Sequence, residues 1–399
     1  MLHGSSALDL TADGFRQDPY FYYFTGLENT VGALLAIDGR SGESWLFLPS
    51  KPPFLNRGLQ PEAQPGAENE KRLAIDHVVD WTKLESFLAA RSGPPAILYY
   101  ADDRSEFDEL PANLLSQKSP QARTWLQLIL QKWPAFEAKD ASERIQSLME
   151  VQAADELAAL RTAAKATVSA LVAGMRAIRP NLSQRSVEAV VEHTCWIEGA
   201  RGTDFWPWAM SGENAVFPRP FFSMTRYDHL NRAMLPGELV RLDVGCEWEH
   251  YTGDLGRTVP VSGHFSDDQR ETWNIFVAAY FAGVKSLREG VTVDQVFDAW
   301  QKELVSHRSS AKSILAQHAI DNWSDRKNIP FWQVHTTNLV AAFPSGPLRQ
   351  GTTINFEPIA AVDGQGFFLE DMYVVTKDGA ELLTPGVPYS AEDIEGAMK

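Results

Sequence analysis

Three short stretches set carboxylates inside strand-like apolar text: "VRLDVGCEWEHYTGDLGRTVPVSG" (240–263), "TTINFEPIA" (352–360) and "GFFLEDMYVVT" (366–376). Asp243 sits within "LVRLDVG", which reads as a buried strand, and Asp254 follows 11 residues later, after a turn expected around Tyr251–Gly253. Glu357 and Glu370 lie 13 residues apart, each in a β-rich run, which suits a hairpin. A buried carboxylate without a partner is costly, and four brought together would force protons onto some of them. Divalent cations would cancel that charge, and an oxygen-rich donor set suits Mn²⁺, Fe²⁺, Co²⁺ or Zn²⁺. A pair of such ions can activate water and polarise a carbonyl, which is the chemistry of hydrolysis. Spacing alone leaves a plainer reading open, and favours it: solvated strand ends, or acids paired with Arg241 and Arg257.

The elements that must position these residues follow from the pattern along 399 residues, enough for two domains. Apolar runs at 31–37 and 44–49 read as strands, 51–70 as a Pro- and Gly-rich loop, "WTKLESFLAA" as helix, "PAILYY" as strand and "ARTWLQLILQKW" as a helix stopped near Pro134. An Ala- and Glu-rich composition begins near 141. Leu157, Leu160, Ala164, Val168, Leu171, Met175 and Ile178 mark one face of a long helix that Pro180 ends. Helical spacing resumes at "SQRSVEAVVEHTCWIEGA", and from 205 onward strands alternate with two more helices. Those two open with capping-box pairs, Ser266 with Gln269 and Thr292 with Gln295. The domains are placed at 1–140 and 141–399, with the boundary somewhere in 137–150.

Composition narrows the partners. Hydrophobic residues make up 44% of the chain, ample for packed cores. The net charge of −16 argues against nucleic acid or an anionic membrane as the main partner. Two cysteines, Cys195 and Cys246, are too few for a disulfide framework. No apolar run reaches the ~18–20 residues of a spanning helix. "MLHGSSALDL" lacks a basic region followed by an apolar core. A cytoplasmic enzyme is the simplest expectation, although a mature exported chain would look the same.

The acidic stretches resemble the methionine aminopeptidase/prolidase family (M24), and most closely its Xaa-Pro aminopeptidase and Xaa-Pro dipeptidase branch. "LDVG…YTGDLGRT" is similar to the segment that supplies two aspartate ligands, and "NFEP" and "LEDM" to those that supply two glutamates. "SGENAVFPRP" (211–220) resembles the substrate-side loop, and "FRQDPYFYYFTGL" (15–27) the N-terminal domain of aminopeptidase P, whose first strand "MLHGS" would begin. The resemblance covers nearly the whole chain. It implies an α+β protein, with a creatinase-like N-terminal α/β domain followed by a C-terminal pita-bread catalytic domain. It also implies one or two divalent metal ions (Mn²⁺ foremost, then Co²⁺, Zn²⁺ or Fe²⁺), a peptide or small-molecule substrate and a homodimer. The metal set it implies is Asp243, Asp254, Glu357 and Glu370.

Four departures matter. Arg219 stands where the family has a histidine, Phe368 where an arginine is common, and Ala361 where a tyrosine is common. The fourth concerns His335, the one histidine of "NIPFWQVHTTN", where the family carries two histidines seven residues apart. Without a gap, the 22 residues from His335 to Glu357 match the spacing from the family's second, non-ligand histidine, and "WQVH" matches its local text. Asn328 then falls on the metal-ligand position and His335 becomes a donor to substrate, while Glu357 carries the proton. A gapped register would make His335 the ligand and leave Ala342 in the second position. Arg219 would meet a substrate carboxylate or an oxyanion, or else be a surface arginine between two prolines. His250 and His264, near the acidic hairpin, stay in reserve. The expected function is a metal-dependent hydrolase cleaving before proline. The alternatives are a non-peptide amide hydrolase of the same fold and a silent binding paralogue.

Overall fold

A computed structural model of the chain describes residues 1–3, 15–49, 62–101, 124–216, 230–329, 332–344 and 346–399. It divides into two compact units, Met1–Leu148 and Met149–Lys399.

In the first unit, strands β1 (Leu2–His3), β2 (Leu34–Ile37), β3 (Ser44–Leu48) and β4 (His77–Asp80) form one sheet in that order. Strands β5 (Ala96–Tyr100) and β6 (Phe136–Asp140) pair in parallel. The helices are α1 (Pro19–Thr25), α2 (Ala67–Leu73), α3 (Leu84–Ala89), α4 (Thr124–Lys132) and α5 (Ser142–Met149). Helix α1 starts where Pro19 presets the backbone and the Asp18 side chain accepts from Phe21 N–H, and it stops at left-handed Gly26. The loop expected over 51–70 is corrected at its end. Residues 67–70 belong to α2, whose first turn is acidic and last turn basic, complementing the helix dipole. Residues 51–61 lie outside the described set. Strand β6 and helix α5 were not anticipated, because their polar text carries no clear period.

The second unit opens with α6 (Ala154–Ala177) and α7 (Gln184–Ile197) and continues with β7 (Gly202–Thr203), β8 (Trp208–Ser211), β9 (Leu239–Val244), β10 (Cys246–Trp248), β11 (Tyr251–Thr252) and β12 (Leu255–Pro260). Helices α8 (Asp267–Ser286), α9 (Val293–Ser306) and α10 (Ile314–Trp323) follow, then β13 (Trp332–Thr336), β14 (Thr353–Val362), β15 (Gln365–Val375), β16 (Ala380–Leu382) and α11 (Ala391–Ala397). Both expected capping boxes are formed, at Ser266 and Thr292. Helices α10 and α11 add to the two helices expected.

The main sheet runs β13-β14-β15-β12-β9-β8, antiparallel throughout, with β16 beside β15. Its two faces follow from strand alternation. Val240, Leu242 and Val244 of β9, Leu255 and Val259 of β12, Phe356 of β14 and Phe367 and Leu369 of β15 join the large apolar core with Trp273, Phe276, Trp300 and Trp323 of α8–α10. Burying each such side chain stabilises the fold by roughly 1.5–3 kcal/mol, so this face has one allowed register. The residues between them are driven to the opposite face, and these include every acid singled out by the sequence on β9, β14 and β15.

Two local expectations change. The turn placed around Tyr251–Gly253 begins two residues earlier, where Glu249 and His250 hold left-handed φ of 51° and 67°, and Tyr251–Thr252 is strand. The two cysteines, too few for a framework, still form one disulfide, Cys195–Cys246, between the last turn of α7 and β10. No helix among the described residues is long and apolar enough to cross a membrane.

Candidate metal centre

Register brings the acids together. Gly256 of β12 lies opposite Asp243 on one side and Glu370 on the other, so the two acids flank a residue without a side chain. Asp254 immediately precedes β12. On β14, Glu357 shares a face with Asn355, and Asn355 lies opposite both Met372 of β15 and His335 of β13. The turn of the β14–β15 hairpin uses Asp363 and Gly364, both at positive φ, which is the backbone a two-residue reversal requires.

The resulting cluster is tight. His335 Nε2 lies 3.6 Å from Asp254 Oδ2, 3.4 Å from Glu357 Oε1 and 3.6 Å from Glu370 Oε1. Asp254, His335 and Glu370 offer one ligand atom each with all three within 4.8 Å of one another. Asp243, Glu357 and Glu370 are buried. Burial pushes the Asp243 carboxyl up to about 7 against the pull of Arg241, and pushes Glu357 up to about 8 with the help of the Glu370 charge. Burial and Glu370 also hold Asp254 well above the carboxylate range. Burial would lower the His335 imidazole, but hydrogen bonds to Glu357 and Glu370 and the surrounding negative charge raise it well above its usual value. This is surplus negative charge in a dry place, the condition a cation relieves.

The donor set fits a divalent ion. Glu370 Oε1 accepts from Asn355 Nδ2 at 2.7 Å, whereas its Oε2 is buried with no hydrogen-bond partner among the described residues. A buried carboxylate oxygen left unsatisfied is costly unless something binds it. His335 Nδ1 lies 3.1 Å from the Thr336 carbonyl, and donating there would let Nε2, once an ion displaces its proton, turn a lone pair to that ion, the tautomer a metal ligand needs.

The ligand role expected of Asn328 in the ungapped alignment finds no support in its surroundings. Asn328 is exposed at the end of a short 3₁₀ turn, and its Nδ2 donates to the Asn322 carbonyl. His335 stands among the acids instead. Its strand pairs with β14, while the 3₁₀ turn Arg326–Asn328 leaves the asparagine exposed. Ala342 closes a tight loop on Thr336, exchanging hydrogen bonds with its backbone N–H and hydroxyl. Arg219 lies outside the described residues. The Ala361 carbonyl accepts from Trp323 Nε1, so that position serves the α10 contact. His250 lies at the β10–β11 turn, 3.9 Å from Glu247.

The ion-pair reading of the acids holds for one pair and fails for the other. Arg241 Nη2 donates to Asp243 Oδ2 at 2.7 Å, but Arg257 faces the opposite side of the sheet and pairs with Asp371. Asn355 was missed as a site residue. It donates to Glu370 and to the Asp254 carbonyl and accepts from Thr337 Oγ1, so it ties two acids to one strand. The signal was present in "NFEP", because Asn355 and Glu357 must share a face.

Comparison with known proteins agrees with this architecture. The model of metallopeptidase family M24 matches residues 158–377, and that of the aminopeptidase P N-terminal domain matches residues 8–98. Xaa-Pro aminopeptidase of Escherichia coli K12 is 24% identical over 96% of this chain and 89% of its own length. Xaa-Pro dipeptidase of Pyrococcus horikoshii is 24% identical over 92% and 91%. A putative aminopeptidase P from Bacillus anthracis superposes with a TM-score of 0.79 at 20% identity, covering 100% of this chain and 93% of that one. Zinc-substituted E. coli aminopeptidase P in complex with product gives 0.76 at 23%, over 99% and 92%. The fold is thus that of aminopeptidase P, an N-terminal domain followed by a pita-bread domain, and the chain belongs to metallopeptidase family M24.

Proposed function

We propose that this protein is a metal-dependent peptidase of the Xaa-Pro aminopeptidase type, removing the residue that precedes proline at the N-terminus of a peptide. One observation carries the reading: Asp254, His335 and Glu370 converge within 4.8 Å on the face of the sheet that also holds Asp243 and Glu357. The relatives of similar length that bear Xaa-Pro names supply the substrate class.

Asp254, His335 and Glu370 would hold a first ion, and Asp243 and Glu357, on the same face of the sheet, would help to hold a second. Mn²⁺ is the proposed ion, because carboxylate oxygens outnumber the single imidazole. When bound, such an ion supplies Lewis acidity toward a carbonyl and makes water a nucleophile at neutral pH. The protein's own part is proton handling and placement. Glu357, whose carboxylate faces His335 across the site, is assigned the transfer of a proton between the attacking water and the leaving amine. Asn355 holds Glu370 so that one oxygen stays available. Arg219 is assigned to a substrate carboxylate on sequence grounds, and a homodimer on the family resemblance.

The test is turnover of Xaa-Pro dipeptides and longer Xaa-Pro peptides with added Mn²⁺, Co²⁺ or Zn²⁺, against chelated protein and a Glu357→Gln control. Cleavage before proline that disappears in both controls is expected. Absence of turnover above the control with every metal would reject the proposal.

A further inference from the structure

We propose that Arg241 is a positioning residue of the metal centre: held against the Phe368 ring, it fixes Asp243 so that one oxygen is committed to the guanidinium and the other is presented to the ion. The proposal rests on the metal-centre reading above and concerns how this chain builds that centre.

The geometry is a pair of cross-strand rows on the site face. One row is Asp243–Gly256–Glu370, and the next is Arg241–Thr258–Phe368. Arg241 and Asp243 are two apart on β9, so their side chains leave the same face, and the guanidinium meets the carboxylate at 2.7 Å with both side chains buried. The Arg241 guanidinium lies 4.1 Å from the centroid of Phe368 and 5.5 Å from that of Trp208, which wall it in. Gly256 makes this arrangement fit. A Cβ there would fall 1.8 Å from the Phe368 ring, so any side chain at 256 would expel the ring from beneath the arginine.

What Arg241 does not do is as informative. Its Nε is buried without a hydrogen-bond partner among the described residues. Arg257, on the adjacent strand β12 and facing the other side of the sheet, donates to three carbonyls and both oxygens of Asp371. Arg257 ties backbone together, whereas Arg241 donates to an acid of the centre. An exposed cation would serve equally to offset charge, so burial against an aromatic ring points to orientation.

Orientation and charge predict opposite signs. If Arg241 were only a counter-charge, removing it would relieve repulsion of an incoming cation and tighten binding. If it positions Asp243, removing it lets the carboxylate turn away, and loss of such an outer partner weakens metal binding about 10–100-fold. Mn²⁺ titration calorimetry on the full chain separates the two, using the parent, Arg241→Met, Arg241→Lys and the exchange Arg241→Phe with Phe368→Arg. The expected result is weakening by that factor in Arg241→Met and recovery of most of it in the exchange, which returns a guanidinium to the same row from β15. Arg241→Lys, which keeps charge but not the planar fork, should fall between them and serves if the methionine variant fails to fold, as judged by thermal unfolding in chelator. Parental or tighter binding in Arg241→Met, or in Arg241→Lys where it is the variant that folds, overturns the proposal. So does an exchange variant as weak as Arg241→Met. A parent protein that binds no Mn²⁺, Co²⁺ or Zn²⁺ overturns the metal-centre reading itself, a result the parent titration shows without any variant.

Discussion

Glu370 and Asp371 are neighbours on β15, both buried and both acidic, and they lead opposite lives. Asp371 faces the helices and is fully provided for. Arg257 Nη2 donates to its two oxygens at 3.0 and 3.2 Å, Tyr280 donates at 3.0 Å and Thr384 at 3.0 Å. Glu370 faces the other way, toward Asp254 and Glu357 with His335, and one of its oxygens has no hydrogen-bond partner among the described residues. A buried acid whose partners are complete belongs to the fold, whereas a buried acid left with surplus charge and an idle oxygen is a place for a ligand. The sequence "LEDM" shows two acids side by side, and only their facing tells them apart.

The comparison can be broken most directly at Glu370. Glu370→Ala should weaken Mn²⁺ binding by more than about 100-fold, beyond the loss of an outer partner, and abolish turnover. The ion-free protein should meanwhile melt no lower than the parent, because an unsatisfied buried charge has been removed. A parental metal isotherm in this variant would show that Glu370 is not a ligand. Asp371→Ala should do the reverse. It strands Arg257 in the interior and should cost about 3–5 kcal/mol in denaturant unfolding, while the folded fraction still binds metal like the parent. A loss under about 1 kcal/mol would mean the backbone carbonyls around Arg257 suffice.

Acidity sharpens the contrast with a smaller effect. Asp243 at about 7 and Glu357 at about 8 lie well above the ordinary ~4 of unfolded carboxylates. The folded, ion-free protein therefore binds more protons than the unfolded chain between those values. Its stabilisation from these groups is complete below about pH 4 and is lost as pH rises through about 8. A bound ion displaces those protons, so its stabilising effect should grow with pH. Melting with chelator and with Mn²⁺ at about pH 5.5 and about pH 8 should show a wider gap at the higher pH, and an equal gap would contradict proton release by these acids. The smallest effect is expected at Asn328, now placed on the surface. Asn328→Ala should change stability by no more than about 0.5 kcal/mol and leave metal binding untouched, whereas His335→Ala should strip the metal. Metal loss in Asn328→Ala would restore the ungapped alignment.

Local signals in the chain were enough for much of this. Ser266 with Gln269 and Thr292 with Gln295 announce helix starts because a capping box is a bond between near neighbours. The 13-residue spacing of Glu357 and Glu370 is a hairpin because alternating strands and a short turn leave few other arrangements. The His335 assignment was not legible in the same way. Between His335 and Glu357 the described residues 337–344 and 346–351 form neither helix nor strand, so the chain there carries no periodicity and counting residues could not say which side chain reaches the acids. Cys195 and Cys246, 51 residues apart, pair only because α7 and β10 pack together.

The sequence by itself determined the capped helices, the hairpin that carries Glu357 and Glu370 and the two-faced pattern of the main sheet, since each depends on spacing within one element or on neighbouring strands. The tertiary structure alone decided which cation answers which acid. Arg241 reaches Asp243, Arg257 is taken by Asp371 on the far face, and His335 comes to Glu370 from a strand two places across the sheet and to Asp254 at the start of the strand beyond. Those partnerships depend on lateral register among β13, β14, β15, β12 and β9, which is set by the apolar face packing against the helices and by the open space at Gly256, and no run of residues read along the chain contains it.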